Sequence, residues 1–161
     1  MEPELRKVKV YRGMSEETEA FTAQLWVDGN YIADLKNDGH GGANRITHRF
    51  DERTDGDGLN TRPQVKAFED WCREQLDPTE PVKDAVYMTP DYYISRMLDD
   101  HMEEQKVKRW CKTKTVVKLA SHKDGEFATY TRPYTPEFAE RIRAQDPTIV
   151  EILNERYLNT K

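Results

Sequence analysis

A glycine-rich segment at residues 37–45 has the residue types and spacing that best suit ligand binding in this chain. Glycines reach positive φ angles at little steric cost, and several in a short segment let backbone N–H groups converge on a phosphate or carboxylate. His40 adds a titratable ring and Arg45 adds a fixed positive charge. The predicted ligand-binding residues are Asn37, Asp38, Gly39, His40, Gly41, Gly42, Asn44 and Arg45.

The same segment also fits a purely structural role. It lacks the lysine and the serine or threonine that end a P-loop, and it lacks the glycine spacing of a dinucleotide-binding motif. Asn37, Asp38 and Gly39 suit a tight turn at the end of a β-hairpin. The sequence therefore leaves two interpretations open, an anion-binding loop and a structural turn.

Two histidines and their neighbouring aspartates raise the question of a metal site. His40 and His48 with Asp38 or Asp51 would supply nitrogen and oxygen ligands, as a metal-assisted hydrolase requires. Their spacing matches no metal-binding motif, so we predict neither a metal nor a cofactor. In the acidic segment 51–57 a solvated turn is favoured over a calcium loop, because a loop that starts at Asp55 has Lys66 at its twelfth position, where a bidentate glutamate is needed.

The basic segment 106–118 is a second candidate site, and it contrasts with the acidic composition of the chain. Cations around an aromatic ring such as Trp110 can bind a nucleic-acid backbone and stack a base. Cations at a helix end are also explained by the helix dipole, and by ion pairs such as Glu104 with Lys108. The predicted polyanion-binding residues are Lys106, Lys108, Arg109, Lys112, Lys114 and Lys118.

Composition limits the function classes further. The chain has 161 residues, a formal charge of −5 and a pI near 5.5, so general affinity for polyanions is not expected. No serine or cysteine lies in a strand-to-helix elbow, and we predict no catalytic residue. Cys72 and Cys111 are predicted to be buried free thiols, and no stretch is apolar enough for a membrane span. These features predict a soluble cytoplasmic protein.

Alternating apolar residues predict a first strand over residues 7–11, and a hairpin follows with strands at 21–27 and 31–35 around Asp28-Gly29. A further short strand is expected at 46–50. A second hairpin is predicted from strands at 115–120 and 127–131.

Four helices are expected from proline-containing starts and helical spacing. Thr61 fits a capping box ahead of a helix over 62–76, and a long helix begins after Thr89 and ends near Trp110. Thr135 and Asp146, each followed by proline, predict helices over 136–145 and 147–158.

Because hairpins and helices are grouped and do not alternate, the expected fold class is α+β, with two antiparallel hairpins or a small sheet and about four helices. We expect one domain over residues 1–161, with two lobes at 5–77 and 89–158 joined by a proline-containing connector as the alternative.

The least demanding functional hypothesis is a small non-enzymatic adaptor or inhibitor that acts through protein–protein contacts. An acidic bend at residues 12–19 and the aromatic side chains of Trp26 and Tyr31 would contribute to its surface. Two alternatives stay open: a binder of a small anionic ligand or nucleotide through residues 37–45, and a metal-assisted hydrolase. Nucleic acid is expected only at the basic segment, and no membrane contact is expected.

Overall fold

A computed structural model describes residues 1–49, 60–75 and 89–158 of the chain. Its contacts divide the chain into two compact units, unit 1 over Met1–Asp99 and unit 2 over Asp100–Lys161. The two-lobe alternative placed the division in the connector at residues 78–88, which lies outside the described residues, whereas the contact boundary falls within a helix.

Unit 1 contains a four-stranded antiparallel sheet with its strands in chain order. The strands are β1 (Pro3–Val10), β2 (Phe21–Val27), β3 (Asn30–Asn37) and β4 (Arg45–His48). β2 shows strict alternation: its odd-numbered residues are buried, whereas the even-numbered ones are partly exposed. A β-bulge at Ile32 lies between the Leu25–Ala33 and Trp26–Tyr31 pairs, so the alternation shifts by one residue there.

Two helices contribute apolar residues to the core of unit 1. Helix α1 (Arg62–Glu74) buries Val65, Phe68 and Cys72, at the i, i+3 and i+7 spacing of one helical face. The long helix α2 (Pro90–Cys111) contains the boundary between the units.

Unit 2 has a three-stranded antiparallel sheet in the order β6-β5-β7. Its strands are β5 (Thr115–Leu119), β6 (Ala128–Tyr130) and β7 (Ile149–Ile152), with helices α3 (Pro136–Gln145) and α4 (Leu153–Leu158). Two clusters of buried side chains form its core, one with Val117, Phe138, Ala139, Ile142 and Ile152, the other with Val107, Cys111, Val116 and Leu153.

The expected α+β class is confirmed by these two antiparallel sheets and four helices. Thr135 caps α3 as predicted, because its Oγ1 accepts a hydrogen bond from the Phe138 N–H at 3.1 Å. Among the described residues, no helix is both long enough and apolar enough to cross a membrane.

Two local predictions were wrong. Thr61 makes no side-chain cap on α1, because its hydroxyl donates to the Ile32 carbonyl and accepts from the Arg49 N–H at 2.7 Å. The helix predicted over 147–158 is strand β7 followed by the short helix α4. Three β-branched residues in β7 favour the strand, and pairing with β5 completes it.

Candidate functional site

The Gly-rich loop, residues 38–44, connects β3 to β4, and the side chain of Asn37 holds it in place. Asn37 is 8% exposed, and its Oδ1 accepts hydrogen bonds from the Gly39 N–H at 2.9 Å and the Thr18 hydroxyl at 3.0 Å. Its Nδ2 donates to the Gly42 carbonyl at 2.9 Å and to Asn44 Oδ1 at 3.0 Å. One buried amide therefore fixes both ends of the loop.

The acidic bend, residues 12–19, packs directly against this loop. The Gly39 carbonyl accepts from three successive N–H groups of the bend, those of Glu16, Glu17 and Thr18, at 3.0 to 3.4 Å. His40 Nδ1 lies 3.2 Å from Glu16 Oε2. Two segments that looked independent in the sequence thus form one structure.

These contacts occupy backbone N–H groups that would otherwise be free to bind an anion. The Gly39 N–H donates to Asn37 Oδ1, and the Gly41 N–H donates to Thr18 Oγ1 at 3.3 Å. No partner is found within the described chain for the Gly42 N–H. The loop does not present three converging donors, so an anion would be bound by side chains at its rim.

Asn44 links the end of the loop to the first turns of α2 by hydrogen bonds. Its N–H donates to Asp91 Oδ1 at 2.6 Å, and its Nδ2 donates to the Asp91 carbonyl at 3.0 Å and to Ser95 Oγ at 2.9 Å. Asn37 and Asn44, both predicted as ligand-binding, have their polar groups engaged within the protein.

The exposed rim of the loop forms a small, mostly basic cavity. Lys36, His40 and Arg45 line a volume of about 220 Å³ together with Asp38. Asp38 lies 2.6 Å from Lys36 Nζ and 3.7 Å from the Arg45 guanidinium, and its hydrogen bond from Lys36 lowers the pKa of its carboxyl. The cavity is smaller than the pockets that usually enclose a drug-sized molecule, and it matches a phosphate or carboxylate group better than a nucleotide.

Among the described residues, the structure does not bring together the metal ligands that the hydrolase hypothesis requires. His48 lies in β4 opposite Ala33, and its side chain lines a separate cavity with Ile46 and residues of α1. Within the part of the chain that the structure describes, no group of three or more His, Cys, Asp and Glu side chains is placed to hold a metal ion. Asp51 and the acidic segment 51–57 lie outside the described residues.

A larger polar surface covers the side of the unit 1 sheet opposite its buried residues. In antiparallel pairing, opposed residues share a face, so each row of pairs can be followed across the strands. One row contains Lys9, Thr22, Lys36 and Arg45, a second contains Arg6, Gln24, Asp34 and Thr47, and a third contains Glu4, Trp26 and Tyr31. All of these side chains are exposed or half-buried.

Two aromatic and two basic side chains form a stack on this surface. The rings of Trp26 and Tyr31 are parallel within 18°, with centroids 5.6 Å apart. The Arg6 guanidinium lies 3.9 Å from the centroid of Trp26, and that of Arg49 lies 4.3 Å from the centroid of Tyr31. We call this surface, with Arg6, Lys9, Trp26, Tyr31, Lys36, Arg45 and Arg49, the basic aromatic face.

Only part of the basic aromatic face follows from the sequence alone. Trp26 and Tyr31 were expected at the surface and Arg45 in the Gly-rich segment, but Arg6, Lys9, Lys36 and Arg49 were missed. Arg6 and Lys9 are predictable from their positions, because each alternates with apolar residues in β1. Arg49 lies beyond the end of β4, where alternation gives no guidance.

The basic segment 106–118 lies in unit 2, at the end of α2 and in β5. Three of its six cations have carboxylate partners: Lys108 Nζ lies 3.0 Å from Glu104, Lys118 Nζ 3.1 Å from Asp124, and Lys106 Nζ 3.8 Å from Glu103. For Arg109, Lys112 and Lys114, no ion pair is found with any described residue.

Both cysteines are buried and free, as predicted. Cys72 is 0% and Cys111 is 2% exposed. Burial raises the pKa of the Cys72 thiol to about 12 and also raises the pKa of Cys111. A thiol with a raised pKa is a poor nucleophile at neutral pH, so both residues belong to the core.

Comparisons of the chain with models of protein families, with curated proteins and with solved structures find no match.

Proposed function

We propose that this protein is a small cytoplasmic adaptor or inhibitor without enzymatic activity, and that it binds an acidic surface of a partner protein through the basic aromatic face. The observation that carries the proposal is the Arg6–Trp26–Tyr31–Arg49 stack. Tryptophan, tyrosine and arginine dominate the binding energy of protein interfaces. Tryptophan and tyrosine bury a large area at a modest cost in conformational entropy, and arginine adds several hydrogen-bond donors and a charge.

Charge supports an acidic partner. Residues 1–99 contain thirteen Lys and Arg against twenty Asp and Glu, so unit 1 is acidic as a whole. The three rows of the basic aromatic face, with Arg49 beside them, hold five cations. Against them stand Glu4 and Asp34 in the same rows and Asp38, which pairs with Lys36 and Arg45, so the face keeps an excess of positive charge. A basic face on an acidic unit orients an approaching acidic partner and speeds its association.

The test compares a face variant with a matched control. Immobilised full-length protein captures a partner from its native extract, and the partner is then purified and titrated. We expect the double variant Arg6→Ala/Arg49→Ala to bind at least about tenfold more weakly. The control Arg62→Ala/Arg141→Ala removes the same charge elsewhere and should stay within about twofold. Equal affinities for the two variants, or no partner retained by the unaltered protein, would refute the proposal.

A second candidate function is favoured by the cavity at the loop rim, where Lys36, Arg45 and His40 surround a space suited to one small anion. Thermal unfolding in phosphate, citrate and ATP tests it, since a ligand at about 100 times its Kd stabilises by about 2.7 kcal/mol. We expect stabilisation by phosphate or citrate that Arg45→Ala removes and that Arg62→Ala, which removes the same charge away from this cavity, keeps. A melting temperature unchanged by all three anions would exclude this site.

A further inference from the structure

The end of α2 in unit 2 carries an aromatic ring surrounded by cations on a rigid support. Trp110 is half-buried and packs against the core residues Val107, Cys111, Val116 and Leu153. Lys106 Nζ lies 4.8 Å and Lys114 Nζ 5.8 Å from the centroid of its ring. We call Lys106, Arg109, Trp110, Lys112 and Lys114 the Trp110 cluster.

A buried asparagine fixes the turn that carries this cluster. Asn154 is 0% exposed, and its Nδ2 donates to the carbonyls of Cys111 at 3.0 Å and Lys114 at 2.7 Å. Its Oδ1 accepts from the Val116 N–H at 2.7 Å. The backbone between the end of α2 and the start of β5 is therefore held in one conformation, which lowers the entropic cost of binding through this turn.

The helix dipole does not account for the number of cations. The dipole favours positive charge within the last turn of a helix, where Lys108 and Arg109 lie. Lys112 and Lys114 come after α2 has ended. With Arg109 they form three cations for which no carboxylate partner is found in the described chain. Unit 2 as a whole has twelve Lys and Arg against ten Asp and Glu, so its net charge is opposite to that of unit 1.

A second aromatic side chain with two cations packs on the same core cluster. Lys108 Nζ and the Arg156 guanidinium each lie 5.4 Å from the centroid of Tyr157. Aromatic rings beside cations are the combination that binds single strands, since bases stack on the rings while phosphates meet the cations.

We propose that the Trp110 cluster binds single-stranded nucleic acid, with Arg109, Lys112 and Lys114 on the phosphates and Trp110 against a base. The site lies in a different unit from the basic aromatic face and shares no residue with it, so it is independent of the proposed function. An adaptor with both sites would hold a protein and a single strand together.

The experiment uses fluorescence anisotropy of a labelled oligothymidine of about 12 nucleotides with the full-length protein. With about three phosphates contacted, the logarithm of the association constant should fall against the logarithm of salt concentration with a slope of about −2. Lys112→Glu/Lys114→Glu should weaken binding at least about tenfold. Lys123→Glu, an exposed charge reversal elsewhere in unit 2, should weaken it less than the single change Lys112→Glu.

Two further variants separate stacking from charge and one unit from the other. Trp110→Leu should weaken binding more than Trp110→Phe, because only phenylalanine keeps a ring for a base to stack on. Arg6→Ala/Arg49→Ala should bind the oligonucleotide as the unaltered protein does. No binding at low salt, equal losses for Lys112→Glu and Lys123→Glu, tighter binding of a duplex, or loss in the unit 1 variant would each overturn the proposal. Circular dichroism of every variant confirms that it is folded.

Discussion

Two buried asparagines perform the same task in the two units. Asn37 joins the ends of the Gly-rich loop, and Asn154 joins the end of α2 to β5. Each amide uses its oxygen and its nitrogen, so few of its hydrogen-bonding groups are left unpaired in the interior. A candidate binding surface lies beside each of them, at the loop rim and at the Trp110 cluster. Rigid polar supports under exposed charges are what a preorganised binding surface requires.

The importance of Asn37 can be measured as stability. Asn37→Ala removes four hydrogen bonds and leaves the Gly39 N–H without its acceptor, so we expect the free energy of unfolding to fall by about 2 kcal/mol. Asn30→Ala is the control, because Asn30 is exposed and its side chain makes one hydrogen bond, to the Asp28 carbonyl. Urea denaturation of both variants provides the comparison, and equal losses would show that Asn37 has no special role.

Two glycines of the loop, Gly39 and Gly42, should differ in their tolerance of a side chain. Gly39 has a φ of +89°, and a Cβ there would lie 2.2 Å from the Met14 carbonyl oxygen. We expect Gly39→Ala to cost about 2 kcal/mol or more, because neither backbone segment can move away cheaply. At Gly42 nothing lies within 4 Å of an added Cβ, so Gly42→Ala should leave the melting temperature unchanged. Differential scanning calorimetry distinguishes the two, and a stable Gly39→Ala variant would contradict the structure.

The buried thiols predict slow labelling with a particular pH dependence. Burial raises the pKa of Cys72 from 9.0 to about 12, so its thiolate stays scarce in the folded protein even at pH 9. A disulfide reagent should label the unfolded chain rapidly and the native chain only as fast as it opens. In the unfolded chain the lower pKa returns, so the stability associated with Cys72 is complete below pH 9 and decreases as pH rises toward 12. Rapid native labelling would place Cys72 at the surface.

At the scale of elements, the sequence predicted the helices and strands whose start or turn is determined by neighbouring residues. The hairpin of β2 and β3 follows from alternation and Asp28-Gly29, and α3 follows from Thr135 and its proline. β7 could not be predicted, because Ile149 to Ile152 also fit a helical pattern and only pairing with β5 decides between them. The basic aromatic face as a whole could not be predicted either, because it depends on the register of four strands. The same holds for the contact between the acidic bend and the Gly-rich loop, because it joins residues that are distant in the sequence.

Thr61 gives a test of how α1 is attached to the sheet. Its hydroxyl links the start of α1 to the Ile32 carbonyl of β3 and to Arg49. Thr61→Val keeps the shape but removes both hydrogen bonds, so we expect a loss of about 2 kcal/mol. Thr61→Ser keeps the hydroxyl and should lose much less. Thermal unfolding of the pair decides, and similar melting temperatures for the two variants would show that the hydroxyl does not matter.

At the scale of the whole molecule, the two units that the contacts define also differ in net charge. Unit 1 is acidic and unit 2 is slightly basic, and each has its own sheet and its own buried side chains. No loop or proline marks the boundary, since α2 runs through it. The sequence therefore carries no linker signal at this point.

The division predicts that the units open separately in the native protein. Asn154→Ala removes the contacts between the end of α2 and β5, so hydrogen-exchange protection should fall about tenfold or more in β5 and β7. Protection in β2 and β3 of unit 1 should stay within about twofold of its original value. Asn37→Ala should do the opposite, lowering protection in β2 and β3 and leaving it nearly unchanged in β5 and β7. Hydrogen exchange measured by NMR provides both profiles. A parallel loss in both sheets would mean that one cooperative transition includes the whole chain, because independent units lose protection only where the stabilising contact was removed.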